Sequence, residues 1–174
     1  GGRAGRIVQP FNEFIVMPYR ADSIQSAVEM SVRLFGVVGE VLTDYLGHAP
    51  GVANSYGYIA PSADPRTVLE LLDKAVEVAG YSDVMAFALD CASSEFYEAD
   101  DQTYELHGRR VDSAELIDFT RELAEDFPLV FVEDLLDEDD WDGYAEAVRT
   151  IRNSLILGDD LIVTNPQRLE RAVT

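Results

Sequence analysis

The sequence predicts an α/β fold in which parallel strands alternate with helices, as in part of a β/α barrel. Three observations predict it. The pattern of a continuous apolar run, a terminal acid and a following loop and helix-like segment occurs three times, at Val84 to Asp90 (VMAFALD), Leu129 to Glu133 (LVFVE) and Leu155 to Asp159 (LILGD). Apolar runs without polar alternation are what strands buried on both faces require, and right-handed crossover helices are what joins them in parallel. Long amphipathic segments stand between the runs, at helical spacing.

Taken in order, Phe11 to Pro18 (FNEFIVMP) is a short apolar and aromatic run closed by proline, a buried strand that carries one acid, Glu13. Asp22 or Ser23 caps a helix over Ile24 to Leu46, which Gly36 and Gly39 could divide in two. His48 to Pro61 (HAPGVANSYGYIAP) is loop-like, with Tyr58 to Ala60 a possible short strand. Asp64 as N-cap, Pro65 in the first turn, an apolar face from Val68 to Ala79 and Gly80 as a stop define the next helix. A tyrosine- and acid-rich insertion follows the strand ending at Asp90. A helix then runs from about Ser113 to Asp126, with Asp112 and Glu115 spaced as a capping box, and another from about Trp141 to Arg152.

The chain has 174 residues, 47% of them hydrophobic, enough to bury a core as one domain or part of one. Its formal net charge of −20 comes from 33 acidic and 13 basic residues, which argues against nucleic acid and anionic membranes as partners. Twelve of the basic residues are arginine and the only lysine is Lys74, read as a helix surface residue. Cys91 is the sole cysteine, so no internal disulfide is possible and the cytoplasm is the expected compartment. No run of about 18 apolar residues suggests a transmembrane helix.

In a parallel β/α barrel the loops after the strands build the site. Asp90, Glu133 and Asp159 each end a predicted strand, and three converging carboxylates cannot all remain ionised unless a cation neutralises them. Oxygen-only ligation without His or Cys selects a hard ion, and Mg²⁺ is the usual choice where a substrate anion completes the shell. Helix capping or loop solvation is the plainer reading of any one of these acids, less so of all three. Asp134 and Asp160 are weaker candidates because alternate strand residues face opposite ways. His48 and His107 match no ligand spacing and read as solvated loop residues. Asp137 to Asp140 is an acidic loop without the glycine and spacing of a calcium-binding EF-hand, and solvent exposure accounts for it.

The strings LDCASSEFY (Leu89 to Tyr97), VEDLLDEDDW (Val132 to Trp141) and GDDLIVTNPQRL (Gly158 to Leu169) resemble the enolase family in order and spacing. Gly1-Gly2 and NEFIVMP (Asn12 to Pro18) resemble segments upstream of them, and Trp141 resembles a core residue after the acidic turn. The resemblance implies a partial enolase-type, TIM-like barrel. It implies, in the full-length protein, Mg²⁺-dependent reversible dehydration of 2-phosphoglycerate to phosphoenolpyruvate. Asp90, Glu133 and Asp159 match the family's metal ligands, and Glu13 matches one of two glutamates near the leaving hydroxyl. A small phosphorylated carboxylate as substrate and a homodimer in the full-length form are further expectations.

Several positions depart from the family pattern. Tyr56, in Asn54-Ser55-Tyr56-Gly57-Tyr58, stands where the second glutamate is expected. Arg3-Ala4-Gly5 stands where a histidine is expected, and Leu135 where a proline is usual. The lysine base and a later serine-histidine-arginine segment would lie beyond Thr174. Residues 1–174 are therefore expected to be an incomplete barrel domain, without the N-terminal capping domain and the last barrel strands, and to be inactive alone. A diverged paralogue acting on another phosphorylated or phosphonylated carboxylate, or a non-catalytic scaffold, are the alternatives.

Overall fold

The computed structural model describes residues 10–53 and 55–173. Strand β1 (Glu13–Met17) leads into helix α1 (Ile24–Leu46), which is continuous. The anticipated break at the glycines does not occur. Gly36 faces open space, and at Gly39 a Cβ would collide with the Tyr58 hydroxyl, so this glycine admits a ring rather than interrupting a helix. The Tyr58 ring stacks on Phe35 with centroids 4.5 Å apart. Ser23 caps α1, its side chain accepting from the Ser26 amide at 3.1 Å.

Helix α2 (Pro65–Ala79) starts at the Asp64 cap and stops at Gly80, whose φ of 75° is the left-handed conformation that terminates helices. Strand β2 (Ala86–Asp90) follows. The insertion after it contains a hairpin, β3 (Tyr104–Leu106) with β4 (Arg109–Val111), which the sequence reading did not resolve. Helix α3 (Ser113–Asp126) carries the expected capping box, with both reciprocal bonds between Asp112 and Glu115 formed. Strand β5 (Leu129–Glu133), helix α4 (Trp141–Thr150), strand β6 (Leu155–Leu157), and the short helices α5 (Asp159–Ile162) and α6 (Pro166–Ala172) complete the chain.

The main sheet has the order β1-β2-β5-β6. β2, β5 and β6 are parallel as expected, each joined to the next through a helix. β1 departs from the all-parallel expectation and pairs antiparallel with β2. The reason lies in the connection. α1 and α2 pack on each other between the two strands, so the chain reverses once more than it would through a single crossover helix and enters β2 in the opposite direction. A second correction concerns the third predicted strand, which ends at Leu157. Asp159 is the first residue of α5 instead of the last of a strand. Among the described residues the sheet is open, with β1 and β6 at its edges.

The core gathers Phe87 and Leu89 of β2, Leu129 and Val132 of β5, Leu69 and Val76 of α2, Leu116 and Leu123 of α3, and Tyr144 and Ala147 of α4. Helices α2, α3 and α4 bury the face that their apolar spacing assigned to them. Among the described residues, no helix is long and apolar enough to cross a membrane.

Candidate metal centre

Register places the acids. Glu13 is the cross-strand partner of Asp90, Asp90 of Glu133, and Glu133 of Leu157. Directly paired residues project from the same face, and neighbouring strands are spaced by about 4.8 Å. Glu13, Asp90 and Glu133 therefore form one row across the sheet, at the end where β2 and β5 finish and β1, running the other way, begins. The antiparallel direction of β1 brings Glu13, the first residue of its strand, into this row. Asp159 stands two residues past Leu157, exposed at the start of α5.

The electrostatics of the row follow from burial and from like charge. Burial pushes the half-buried Asp90 carboxyl above its usual range. The charges of Glu13 and Asp160 push the same way, and hydrogen bonds from the Asn12 side chain and the Ala92 backbone oppose them. The Ala92 amide donates to Asp90 Oδ1 at 3.1 Å. Glu133 is also raised, first by burial and then by the charges of Asp90, Asp159, Asp160 and Glu13. All four acids thus act on Glu133. Asp134 is pushed up to about 6 by burial, with the charges of Asp160, Glu133 and Asp90 adding to it and the Asp160 amide opposing.

The donor set is all carboxylate, which fits a hard divalent cation, and mutual like charge is the condition a cation relieves. Asp90 and Glu133 fit this role by placement on adjacent strands. The side chains do not, however, converge to ligand distance as they stand: among the described residues no group of three or more His, Cys, Asp or Glu could hold a metal ion. Asp159 is exposed at the start of α5, and its charge still reaches Glu133.

Other residues singled out by sequence fall away from this row. Tyr56 is 84% exposed at a φ of 66°, in a turn closed by its amide on the Ala53 carbonyl, so its phenol does not join the carboxylates. Asn54 and the Gly1-to-Gly5 stretch lie outside the described residues. Lys74 is exposed on α2, and the His48 ring lies within hydrogen-bond distance of the neighbouring Ala49 carbonyl. His107 is more than a solvated loop residue. Its Nε2 lies 3.2 Å from Asp64, the cap of α2, and its ring meets the edge of Phe119, so the hairpin tip is pinned to two helices.

The acidic loop also does more than meet solvent. Asp140 caps α4 through the Gly143 amide at 2.9 Å, and Asp139 pairs with Arg168 at 3.0 Å. The Asp137 amide donates to the buried Tyr104 hydroxyl at 2.8 Å.

An apolar hollow of about 290 Å³ lies on the opposite side of β1, lined by Phe14, Val16, Leu34, Val38 and Leu72. Phe14 and Val16 alternate with Glu13 along the strand, so this hollow and the acidic row are on different faces. The residue that sequence reasoning undervalued is Asp134. Its only signal was an acid doublet, and the bonds that give it a role run to loops distant in sequence.

The family profile described as "Enolase, C-terminal TIM barrel domain" matches residues 1–174. The chain is 39% identical to an enolase of Methanococcus aeolicus over 174 residues, covering 99% of this chain and 41% of the relative. It is 36% identical to an enolase of Thermococcus kodakarensis over 167 residues, covering 94% and 39% respectively. For an enolase of Methanopyrus kandleri the identity is 37%, with 94% and 39% covered. The chain thus spans about two fifths of the length of the curated relatives it matches.

Proposed function

Because this chain belongs to the enolase family, matched over its whole length by that family's barrel domain, we propose that it supplies the metal-binding strand ends of an enolase-type hydro-lyase. The substrate in this reading is a small phosphorylated carboxylate, 2-phosphoglycerate in the first instance, and the product is phosphoenolpyruvate. Asp90, Glu133 and Asp159 would hold Mg²⁺ there. Bound there, the ion would stabilise negative charge developing on the substrate carboxylate as the weakly acidic α-proton leaves. The protein is proposed to work in the cytoplasm as a homodimer of the longer polypeptide.

The observation that supports this most directly is the row of Glu13, Asp90 and Glu133, joined strand to strand by register. Glu13 adjoins Asp90 at the edge of the row, placed to act at a leaving hydroxyl beside the site that Asp90 and Glu133 would supply to the ion. Asn12 and the Ala92 amide orient Asp90, leaving it fewer free lone pairs and a defined direction. Lys74 is exposed on a helix and supplies no base to this row.

The experiment is calorimetric Mg²⁺ titration of the full polypeptide that carries these residues, against its Asp90→Asn, Glu133→Gln, Asp159→Asn variant, with folding checked by circular dichroism. Binding in the parent and its loss in a folded variant are expected; equal binding in both would overturn the assignment. The exposed Tyr56, where a second glutamate is expected, favours a second reading in which a diverged paralogue acts on a related phosphorylated or phosphonylated carboxylate. Mg²⁺ binding together with turnover of such an analogue and none of 2-phosphoglycerate would select it.

A further inference from the structure

Asp90 and Glu133 end β2 and β5 and Asp159 begins α5, and one residue that is not among them ties together the loops at these three positions. Asp134 is 4% exposed and directly follows Glu133. Its amide donates to the Leu157 carbonyl at 3.1 Å, before Asp159, and its own carbonyl accepts from the Ser93 amide at 3.0 Å, after Asp90. Both carboxylate oxygens accept the Asp160 amide, at 3.1 and 3.2 Å, and the Tyr144 hydroxyl approaches at 3.5 Å. These bonds converge on a backbone with a φ of 46°, a left-handed value rare for a residue with a side chain. The neighbouring loops hold comparable positions, Ala92 at 43° after Asp90, and Val163 at 40° with Thr164 at 57° after Asp159. Backbone of this kind persists only where surrounding bonds over-determine it, and Asp134 makes those bonds across the first two loops and into the third.

We propose that Asp134 is the positioning residue of the metal centre. The inference rests on the metal-binding reading above and goes further by naming what sets the ligand geometry. The Asp160 nitrogen belongs to the peptide group that begins at the Asp159 carbonyl. Clamping that N–H therefore fixes the peptide plane from which the Asp159 side chain departs, relative to the adjoining Glu133. Asp134 acts through the backbone and does not touch the ion. Partners that orient metal ligands commonly change metal affinity by about 10–100-fold when removed.

The test uses the full polypeptide and two substitutions. Asp134→Ala removes the acceptor, and Asp134→Asn keeps one oxygen for the Asp160 amide while discarding the charge. Should the alanine variant not fold, Asp134→Leu removes the acceptor and retains the volume. Two readouts are taken: Mg²⁺ affinity by calorimetry, and hydrogen exchange of the 158–163 segment by mass spectrometry. The expected result is that loss of the acceptor weakens Mg²⁺ binding at least about 10-fold and speeds exchange in 158–163, with the asparagine variant restoring both. Unchanged affinity in a folded acceptor-free variant would overturn the proposal. So would an asparagine variant as deficient as Glu133→Gln, since Asp134 would then act as a ligand. If the parent binds no Mg²⁺, the metal reading fails by itself, and the exchange measurement, which needs no metal, still decides whether Asp134 clamps the Asp159 loop.

Discussion

The inner strands β2 and β5 and the outer strands β1 and β6 are apolar runs of the same character, yet the sheet treats them differently. Residues 86–89 of β2 are all buried and β5 is buried at Leu129 and Val132, while β1 is half-buried along its whole length and Leu155 of β6 is 71% exposed. The acids follow the same division. Asp90 and Glu133, on inner strands, have pKa values raised first by burial, whereas Asp159 lies exposed beyond an outer strand. Burial belongs to a position in the sheet more than to a segment, and it is the first cause of the raised carboxyls on the inner strands.

Substitutions of matched chemistry break this comparison most sharply. Phe87→Ala, at a ring 1% exposed, is expected to cost about 3–5 kcal/mol of stability. Leu155→Ala should change it by no more than about 0.5 kcal/mol. Urea unfolding of the full polypeptide measures both, and a cost for Leu155→Ala near that of Phe87→Ala would mean that the β6 edge is covered.

The next largest effect is on pH dependence. Asp134, Asp90 and Glu133 all bind a proton more tightly when folded than when unfolded. Their contribution is therefore a penalty that is absent below the ordinary carboxylate range and grows as pH rises, complete for Asp134 above about 6. Stability from these groups should fall between about pH 4 and pH 6, by on the order of 2–3 kcal/mol for Asp134. Urea midpoints across that interval check the sign, and added Mg²⁺ should flatten the fall by neutralising the row. Asp134→Asn, which cannot ionise, should remove its share.

Smaller effects sharpen the contrast at its flanks. Asp112→Ala dismantles the capping box of α3, which packs against α4 and β3, and should cost about 1 kcal/mol in the same assay. On the outer side, Arg171 lies 4.2 Å over the Trp141 ring. Arg171→Met should cost about 0.5 kcal/mol and alter tryptophan emission, a clean signal because Trp141 is the only tryptophan.

The elements most legible in the sequence were those whose signals are local. Asp64-Pro65 with Gly80, and Asp112 with Glu115, mark helix ends through bonds spanning two to five residues, and both helices begin where those residues place them. The strand at Leu129 to Glu133 has the bounds its apolar run suggested. Less legible were features that depend on partners far along the chain. The reason for Gly39 inside α1 is the Tyr58 ring beside it, and the hairpin in the insertion is anchored through His107 to Asp64. At the site, the residue types and the strand-end placement of Asp90 and Glu133 were readable, while the end of β6 two residues before Asp159 was not.

By itself the sequence determined the family, the succession of strands and helices, and the acids available to bind a cation, because each is written in periodicity, capping residues and contiguous motifs. Only the tertiary structure decided that β1 runs antiparallel and so brings Glu13 beside Asp90, and that Asp134 joins the loops after three strands. Both depend on how helices return the chain to the sheet and on which amides a buried carboxylate meets there. Those are relations between residues tens of positions apart, and no local pattern encodes them.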